Sequence, residues 1–332
     1  MSTQTAASTK SNMDADLHTD DYLEDEGVAE DAQSVDSMSI ESSVTRYRYE
    51  NGRRYHAFRE GVYLLPNDEI EQRRLDLIHH VFLLLLQGKL FRAPIPSHPQ
   101  HILDIGTGTG LWAMDMADVF PSAQVIGTDL SPIQPSWVPP NCKFYVDDVE
   151  GQWTFGHEFD FIHGRAMCGS IAEWNGLFQQ AFDNLRPGGW LEMQEFEMEV
   201  YSDDGTLERA EYIPNWLNMV NEASTRFGKS FNDASRLKPA MVDAGFADVH
   251  EDIYKVPIGA WVKDARLKEL GQYALLAVYE SIEPYTLAAA TRVLRMPLDK
   301  IHQIIARVKA ELCNPQLHLY AKVRFIYGMK PT

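Results

Sequence analysis

The sequence predicts an α/β fold built around a mainly parallel sheet, with helices on both faces. The first observation is an apolar run at residues 102–105 that ends in alternate glycines, which indicates a buried strand entering a tight turn. The second is the stretch at 111–120, where apolar side chains recur at helical spacing before Pro121. The third is a series of later apolar runs that end in acidic residues. Strands that alternate with helices in this way form parallel sheets.

The glycine turn has the spacing Gly-x-Gly-x-Gly, at Gly106, Gly108 and Gly110. In the dinucleotide fingerprint the third glycine comes one residue later, and a phosphate-binding loop ends in Gly-Lys-Ser/Thr, which is absent here. Asp104 lies two residues before the first glycine. A carboxylate at this position repels pyrophosphate but attracts an ammonium or sulfonium group. The turn therefore favours a cationic ligand, which can approach the backbone closely where there is no Cβ.

Acidic residues also close the next two predicted strands. Residues 124–129 end in Asp129, about 20 residues beyond the glycine turn, where an acid hydrogen-bonds ribose hydroxyls. Residues 143–146 are followed by Asp147 and Asp148. Ligands of open α/β sheets bind at the carboxyl ends of the strands, so these acids are expected to surround one site. The alternative is an ordinary Rossmann-like half with solvated loop acids.

The fourth predicted strand, residues 158–163, ends in His163, and Arg165 follows it closely. Its end should border the ligand, because strands beside the topological switch point do so. His163 is a weak candidate for a general base, since its ordinary pKa is near neutrality; shaping the pocket is the favoured alternative. Arg165 can pair with a carboxylate of the substrate or cofactor.

The remainder of the chain predicts further helices and three further strands. The expected segments are a helix at 173–185, a strand after Pro-Gly-Gly at 187–189, helices within 201–245, and strands at 246–256 and 320–327. Residues 259–312 are expected to form a helical insertion just before the last strand. The insertion is a candidate for a substrate roof, for simple packing or for a partner surface.

The N-terminal part divides into two segments. Residues 1–44 hold 11 acids and one base, so they carry −10 of the net charge of −18, and they are expected to be disordered. Residues 45–100 alternate basic and aromatic side chains and then predict a helix that ends near Gly88. Asp68 is the expected N-cap and Glu71 its capping-box partner. This segment is expected to form a helical lid over the ligand, with nucleic-acid binding as the alternative.

Composition narrows the function classes. Beyond the acidic tail the chain has 37 acids and 29 bases, so it has no basic footprint and direct nucleic-acid binding is not expected. The three cysteines have no metal-ligand spacing, which indicates a reducing compartment, no metal site and no disulfide framework. No signal-peptide pattern or bilayer-length apolar run is present, so a soluble intracellular protein without a transmembrane segment is expected.

Together these motifs resemble the class I S-adenosylmethionine (SAM) methyltransferases. The resemblance implies SAM as cofactor and a Rossmann-like sheet of seven strands, the last antiparallel. It places Asp104 near the methionine end and Asp129 on the ribose. Asp148 is placed beside the adenine amine, with Asp147 as the competing choice, and Val149 offers its N–H to the adenine ring. The expected cofactor-binding residues are Asp104, Gly106, Thr107, Gly108, Gly110, Asp129, Leu130, Asp148, Val149, His163 and Arg165.

Residues 50–59, 63–69 and 74–80 resemble the lead-in of fungal LaeA-type methyltransferases, and the resemblance extends over about residues 45–332. That group is associated with velvet-family regulators of development and secondary metabolism. The resemblance implies a regulator in the nucleus and cytoplasm that binds a velvet-domain protein through its helical additions. The alternatives are a small-molecule methyltransferase of a secondary-metabolite pathway and a SAM-binding module without catalysis. No Asn-Pro-Pro-Tyr follows the fourth strand, which weakens an amide-nitrogen or DNA-adenine acceptor.

Overall fold

The computed structural model describes residues 47–332, and the predicted disordered tail at 1–44 lies outside the described residues. The strands are β1 (Arg48–Glu50), β2 (Arg53–Tyr55), β3 (His101–Ile105), β4 (Gln124–Asp129), β5 (Cys142–Val146), β6 (Phe159–Arg165), β7 (Leu185–Phe196), β8 (Ala247–Ile258) and β9 (Leu319–Met329). The α-helices are α1 (Glu69–Leu85), α2 (Leu111–Val119), α3 (Trp174–Asn184), α4 (Tyr212–Phe227), α5 (Leu237–Asp243), α6 (Ala265–Ala288) and α7 (Leu298–Leu312). Short 3₁₀ turns at Thr206–Arg209 and Ala234–Arg236, and a π-helical turn at Ala289–Val293, connect them.

Seven strands form one sheet in the order β5-β4-β3-β6-β7-β9-β8. The neighbours from β5 to β7 are parallel, whereas β9 is antiparallel to both β7 and β8. The predicted α/β class, the seven strands and the antiparallel last strand are therefore confirmed. Strand order reverses between β3 and β6, so the crevice at their carboxyl ends is the expected ligand position.

Alternation along β3 divides the core between the two faces of the sheet. Leu103 and Ile105 are fully buried in a cluster with α3 and α5, whereas Ile102 packs on the opposite face with Trp112 and Met116 of α2. Successive side chains of a strand point to opposite faces, so Asp104 must share the α2 face with Ile102. The position of Asp104 in this alternation therefore determines on which face of the sheet its side chain lies.

Two segments differ from the sequence-based expectation. Helix α3 ends at Asn184, before Pro-Gly-Gly, and β7 already begins at Leu185, because Leu185 pairs with Phe159 and the N–H of Gly188 donates to the carbonyl of Lys330. The predicted helical lid also contains a β1–β2 hairpin with a left-handed turn at Asn51 and Gly52. An Asn-Gly pair between short strands is a hairpin signal. The prediction of a purely helical lid did not take this signal into account.

Buried polar groups attach the lid segment to the sheet, and the described residues all belong to one compact unit. The Glu192 carboxylate on β7 accepts the backbone N–H groups of Arg92 (2.8 Å) and Ala93 (2.6 Å). The Gln194 side chain and the Trp112 indole both donate to the carbonyl of Leu90. These bonds fix the connection between α1 and β3. Within residues 47–332, no helix combines the length and apolar character needed to cross a membrane.

The start of α1 confirms one half of the predicted capping box and corrects the other. The Asp68 carboxylate accepts the N–H of Glu71 at 3.0 Å, so Asp68 is the N-cap. Glu71 does not return to the cap, because its carboxylate accepts two hydrogen bonds from Arg74, one turn further along the helix. Asp68 also pairs with Arg53, whose side chain is 5% exposed. The cap thus joins the hairpin to α1.

We expect Asp68→Ala to lower the free energy of unfolding by about 3 kcal/mol, because it removes a helix cap and leaves the buried Arg53 without its main partner. Denaturant unfolding followed by circular dichroism measures the change. Asp76→Ala, on the exposed side of the same helix, is the matched control and should differ from the wild type by less than about 0.5 kcal/mol. Equal stability of the two variants would contradict the assignment.

Candidate functional site

A cavity of about 240 Å³ lies at the carboxyl ends of the parallel strands. Its floor comes from the residues after β3, β4, β5, β6 and β7, and its other walls come from α1, α4 and α6. The lining residues from the strand ends are Gly106, Gly108, Asp129, Leu130, Ser131, Asp147, Asp148, Val149, Arg165, Ala166, Met167 and Glu195. The cavity therefore occupies the position that the sheet topology predicts for a ligand.

The glycine turn at the floor needs glycine for two reasons. Gly106 and Gly108 have φ values of 64° and 58°, a left-handed conformation that side-chain-bearing residues rarely adopt. A Cβ on Gly106 would also collide with the Met167 side chain, and one on Gly108 would approach Leu75 of α1 to 3.3 Å. The backbone of the turn therefore lies directly on the cavity surface, where a ligand can touch it.

Asp129 joins the turn to the end of β4. Its carboxylate accepts the N–H of Gly108 and the N–H of Ser131, both at 2.9 Å, and it lines the cavity. Burial raises the pKa of Asp129 to about 6, so the side chain is mainly ionised at neutral pH. A carboxylate offers about four lone pairs, so two remain for donors such as ribose hydroxyls.

Asp147 and Asp148 both line the cavity beside Val149, so the choice between the two acids stays open. Asp148 Oδ2 lies 3.4 Å from Arg59 Nε of the lid segment, and the Asp148 carboxylate accepts the N–H of Glu150. The N–H of Val149 has no hydrogen-bond partner among residues 47–332. A free backbone donor beside two acids suits a ring that both accepts and donates hydrogen bonds, as adenine does.

Asp104 and His163 lie behind the turn and are not among the cavity-lining residues. Their expected contact with the cofactor stays a prediction. Asp104 is 2% exposed; one carboxylate oxygen accepts from Thr107 Oγ1 at 2.6 Å and the other lies 2.7 Å from His163 Nδ1. His163 is fully buried and stacks on Trp112, with ring centroids 3.6 Å apart. Burial lowers the pKa of His163, so the ring is neutral. The weak general-base candidate therefore supports the turn rather than facing the cavity.

Gly110 and Thr107 also lie away from the cavity wall. Gly110 is the left-handed N-cap of α2, and a Cβ there would collide with the Phe144 ring. Thr107 donates its N–H to the carbonyl of Thr128 and its hydroxyl to Asp104. Both residues were expected to bind the cofactor, and that stays a prediction. Their contacts within the protein hold the loop from behind.

Arg165, at the end of β6, lines the cavity and has no carboxylate within ion-pair distance among the described residues. Its Nη2 donates to His79 Nδ1 at 3.1 Å, so neutral His79 carries its proton on Nε2, which lies 2.9 Å from Asp115. Burial lowers the pKa of Arg165 to about 10, which still leaves it cationic at neutral pH. An unpaired cation on the wall suits an anionic group of a ligand.

His79 and Asp115 were not singled out as site residues by the sequence. Their spacing of 36 residues carries no motif, and the two side chains meet only because α1 packs beside α2. His79 also lies on the apolar face of α1, where a histidine is ordinarily a packing residue. Only the fold brings the two residues to Arg165.

A methyltransferase-domain family profile matches residues 77–251, more than half of the chain. The chain belongs to the SAM-dependent methyltransferases, and SAM is its cofactor, as the sequence predicts. The floor of the cavity fits that cofactor. A sulfonium cation suits an acidic surround, and the bare backbone of Gly108 beside Asp129 leaves room for a ribose.

Within that family the chain is LaeA-like. It is 39% identical over 289 residues to "Secondary metabolism regulator LAE1" of Cochliobolus heterostrophus, covering 85% of this chain and 94% of the relative. It is 38% identical over 298 residues to "Protein-methionine methyltransferase laeA" of Emericella nidulans, with 88% and 79% covered. It is also 42% identical over 306 residues to "Methyltransferase pytC" of Aspergillus terreus, with 91% and 94% covered.

Among solved structures, the chain resembles a phosphoethanolamine N-methyltransferase 2 of Haemonchus contortus in complex with S-adenosyl-L-methionine. The identity is 15%, the TM-score is 0.49, and the match covers 91% of this chain and 74% of that one.

We expect Asp129→Ala to weaken SAM binding by roughly 10–100-fold, because the ribose loses a charged hydrogen-bond acceptor and the Gly108 N–H loses its partner. Calorimetric titration with SAM measures the affinity. Asp118→Ala, on the exposed surface of α2, is the matched control and should bind SAM like the wild type. Unchanged affinity in Asp129→Ala would remove this residue from the ribose site.

Proposed function

We propose that the chain transfers the methyl group of SAM to a small acceptor held in the cavity, and that this reaction serves secondary metabolism. The observation that carries the proposal is the extension of the cavity beyond the strand ends into an apolar chamber. The chamber is walled by Met198, Val200, Trp216, Leu217, Phe231, Val278 and Tyr285. Apolar walls with a few polar groups are typical of small-molecule sites.

The chemistry requires little from the protein besides position. SAM supplies a methyl group on a sulfonium, and holding two reactants in line contributes roughly 7–11 kcal/mol towards the barrier. The sheet end and α6 supply the two sides between which an acceptor is held. The aromatic side chains of Trp216 on α4 and Tyr285 on α6 line the apolar half.

Glu195 is the candidate for receiving a proton from the acceptor. It is fully buried on β7, lines the cavity, and accepts the N–H groups of Met167 (2.8 Å) and Cys168 (3.1 Å). Burial raises the pKa of Glu195 to about 7, which suits a general base at neutral pH. Sequence analysis did not single out Glu195, because it is one of several acidic residues in the segment 192–199 and carries no motif of its own.

A second candidate function is a regulator that acts with a velvet-domain protein, in the nucleus and cytoplasm. Relatives named as secondary metabolism regulators favour it. The partner surface proposed here consists of two aromatic-rich segments, residues 47–58 and 261–279, whose aromatic side chains differ in exposure. Tyr49 is 70% exposed and Trp261 and Tyr273 are nearly 40% exposed, whereas Tyr55 is buried against Arg292. The three exposed side chains are available to a partner, whereas Tyr55 is part of the protein interior.

Transfer of radiolabel from methyl-labelled SAM tests the acceptor class. Incubation with an extract of a fungal culture that produces secondary metabolites should place label in organic-soluble small molecules. Asp129→Ala should reduce that label in proportion to its lost SAM affinity, and Asp118→Ala should not. Label found only in protein, whether a partner or the chain itself, would reject the small-molecule proposal in favour of a protein acceptor.

Co-purification with recombinant velvet-domain proteins tests the second candidate. A complex should form at micromolar concentrations, and the triple variant Tyr49→Ala, Trp261→Ala, Tyr273→Ala should weaken it because these side chains are exposed. The control is Trp137→Ala, which removes an 87% exposed aromatic from outside the proposed surface. If no velvet-domain protein is retained, or both variants behave alike, the proposed surface is wrong.

A further inference from the structure

A polar patch borders the apolar chamber, and we define it as Tyr63, Glu71, Arg74, Ser281 and Tyr285. All five residues line the cavity. Glu71 and Arg74 belong to α1, and Ser281 and Tyr285 belong to α6. The patch therefore lies where the two helices meet.

Arg74 is the centre of the patch. Its Nε and Nη2 donate to the Glu71 carboxylate at 2.9 and 2.5 Å, and its Nη1 donates to Ser281 Oγ at 3.2 Å. A guanidinium has five N–H donors, so two remain, and they have no acceptor among residues 47–332. Arg74 is only 6% exposed, so an unused donor there costs free energy unless a ligand accepts it.

The two tyrosines of the patch stay neutral. Burial raises the pKa of the hydroxyls of Tyr63 and Tyr285, so each can donate or accept a hydrogen bond at any ordinary pH. The guanidinium carbon of Arg74 lies 5.6 Å from the centroid of the Tyr285 ring. Donors and hydroxyls are thus gathered at one place on the cavity wall.

The charges around the cavity disfavour an anionic partner for this patch. Acidic lining residues outnumber basic ones: they are Glu71, Asp129, Asp147, Asp148, Glu195, Glu197 and Glu199, against Arg74, Arg165 and Lys229. Arg74 is already neutralised by Glu71, and Lys229 is paired with Glu150 at 2.6 Å. A neutral oxygen meets the patch without the repulsion that a carboxylate would face.

We propose that the patch anchors the acceptor through one oxygen, and that the acceptor is a neutral, mainly apolar hydroxyl compound of the phenol type. Its oxygen accepts a hydrogen bond from Arg74, and its O–H donates to a tyrosine hydroxyl. The aromatic side chains of Trp216 and Phe231 enclose its apolar body. This inference rests on the proposed transfer to a small molecule and specifies its substrate class.

A purely structural role for Arg74, joining α1 to α6 through Ser281, predicts a different behaviour. In that case loss of the patch would weaken binding of apolar and hydroxylated compounds equally, through a change in helix packing. An anchor acts on the hydroxylated compound alone. The distinction therefore depends on a matched pair of probes, 4-ethylphenol and ethylbenzene, which differ by one hydroxyl.

Both probes are titrated into the full chain loaded with S-adenosylhomocysteine, and ligand-observed NMR measures their binding. The wild type should bind 4-ethylphenol about 10-fold more tightly than ethylbenzene, the value of one hydrogen bond to a charged donor. The double variant Glu71→Gln, Arg74→Met removes both charges together and should abolish the preference while binding ethylbenzene normally. Arg73→Met, on the exposed side of α1, should keep the preference.

Tyr285→Phe gives a second test that does not depend on the folding of the double variant. It keeps the packed ring and should reduce the preference for 4-ethylphenol several-fold. The inference is overturned if the wild type shows no preference, if both probes weaken equally in the variants, or if 4-ethylbenzoate binds more tightly than 4-ethylphenol. Calorimetry with S-adenosylhomocysteine distinguishes failure of this inference from failure of the proposed function. Normal cofactor binding without a preference for the phenol would reject only the anchoring role of the patch. Absence of cofactor binding would reject the proposed function.

Discussion

The buried carboxylate of Asp104 is the contact on which the site depends. It lies at the end of β3 and holds the Thr107 hydroxyl of the glycine turn and the His163 ring of β6. A carboxylate taken out of water is tolerated only where donors replace the lost hydration, so the three groups stabilise one another. The turn held in this way presents the Gly108 N–H to Asp129, and Asp129 in turn fixes the cavity floor.

Helix α1, which covers the cavity, is likewise held in place by buried polar contacts. Helix α1 is held at its start by Asp68 and Arg53, and the chain after its end is held by Glu192. Its apolar face packs on α6 and on β9 through Val81 and Phe82. Buried polar contacts at both ends of α1, with hydrophobic packing between them, determine the positions of Arg74 and His79 at the site.

Much of the fold was predictable because its signals are local. The glycine turn, the acids after β4 and β5 and the alternation of strands and helices are each complete within a few residues. The roles of Glu71 and His163 were not predictable in this way. Glu71 has the spacing of a capping box and also of an i,i+3 partner for Arg74, and sequence alone does not choose between them. His163 depends on Trp112, a residue of another element.

Two buried acids of β7 also couple the folding of this protein to its proton content. Burial raises the pKa values of Glu192 and Glu195 to about 7, above the ordinary value of 4.5 that an unfolded chain shows. Between these values the folded chain binds more protons than the unfolded one, so stability falls as the pH rises through that interval. The protein therefore takes up protons when it folds near neutrality. Acidification of its surroundings towards pH 5 strengthens the fold through these two groups.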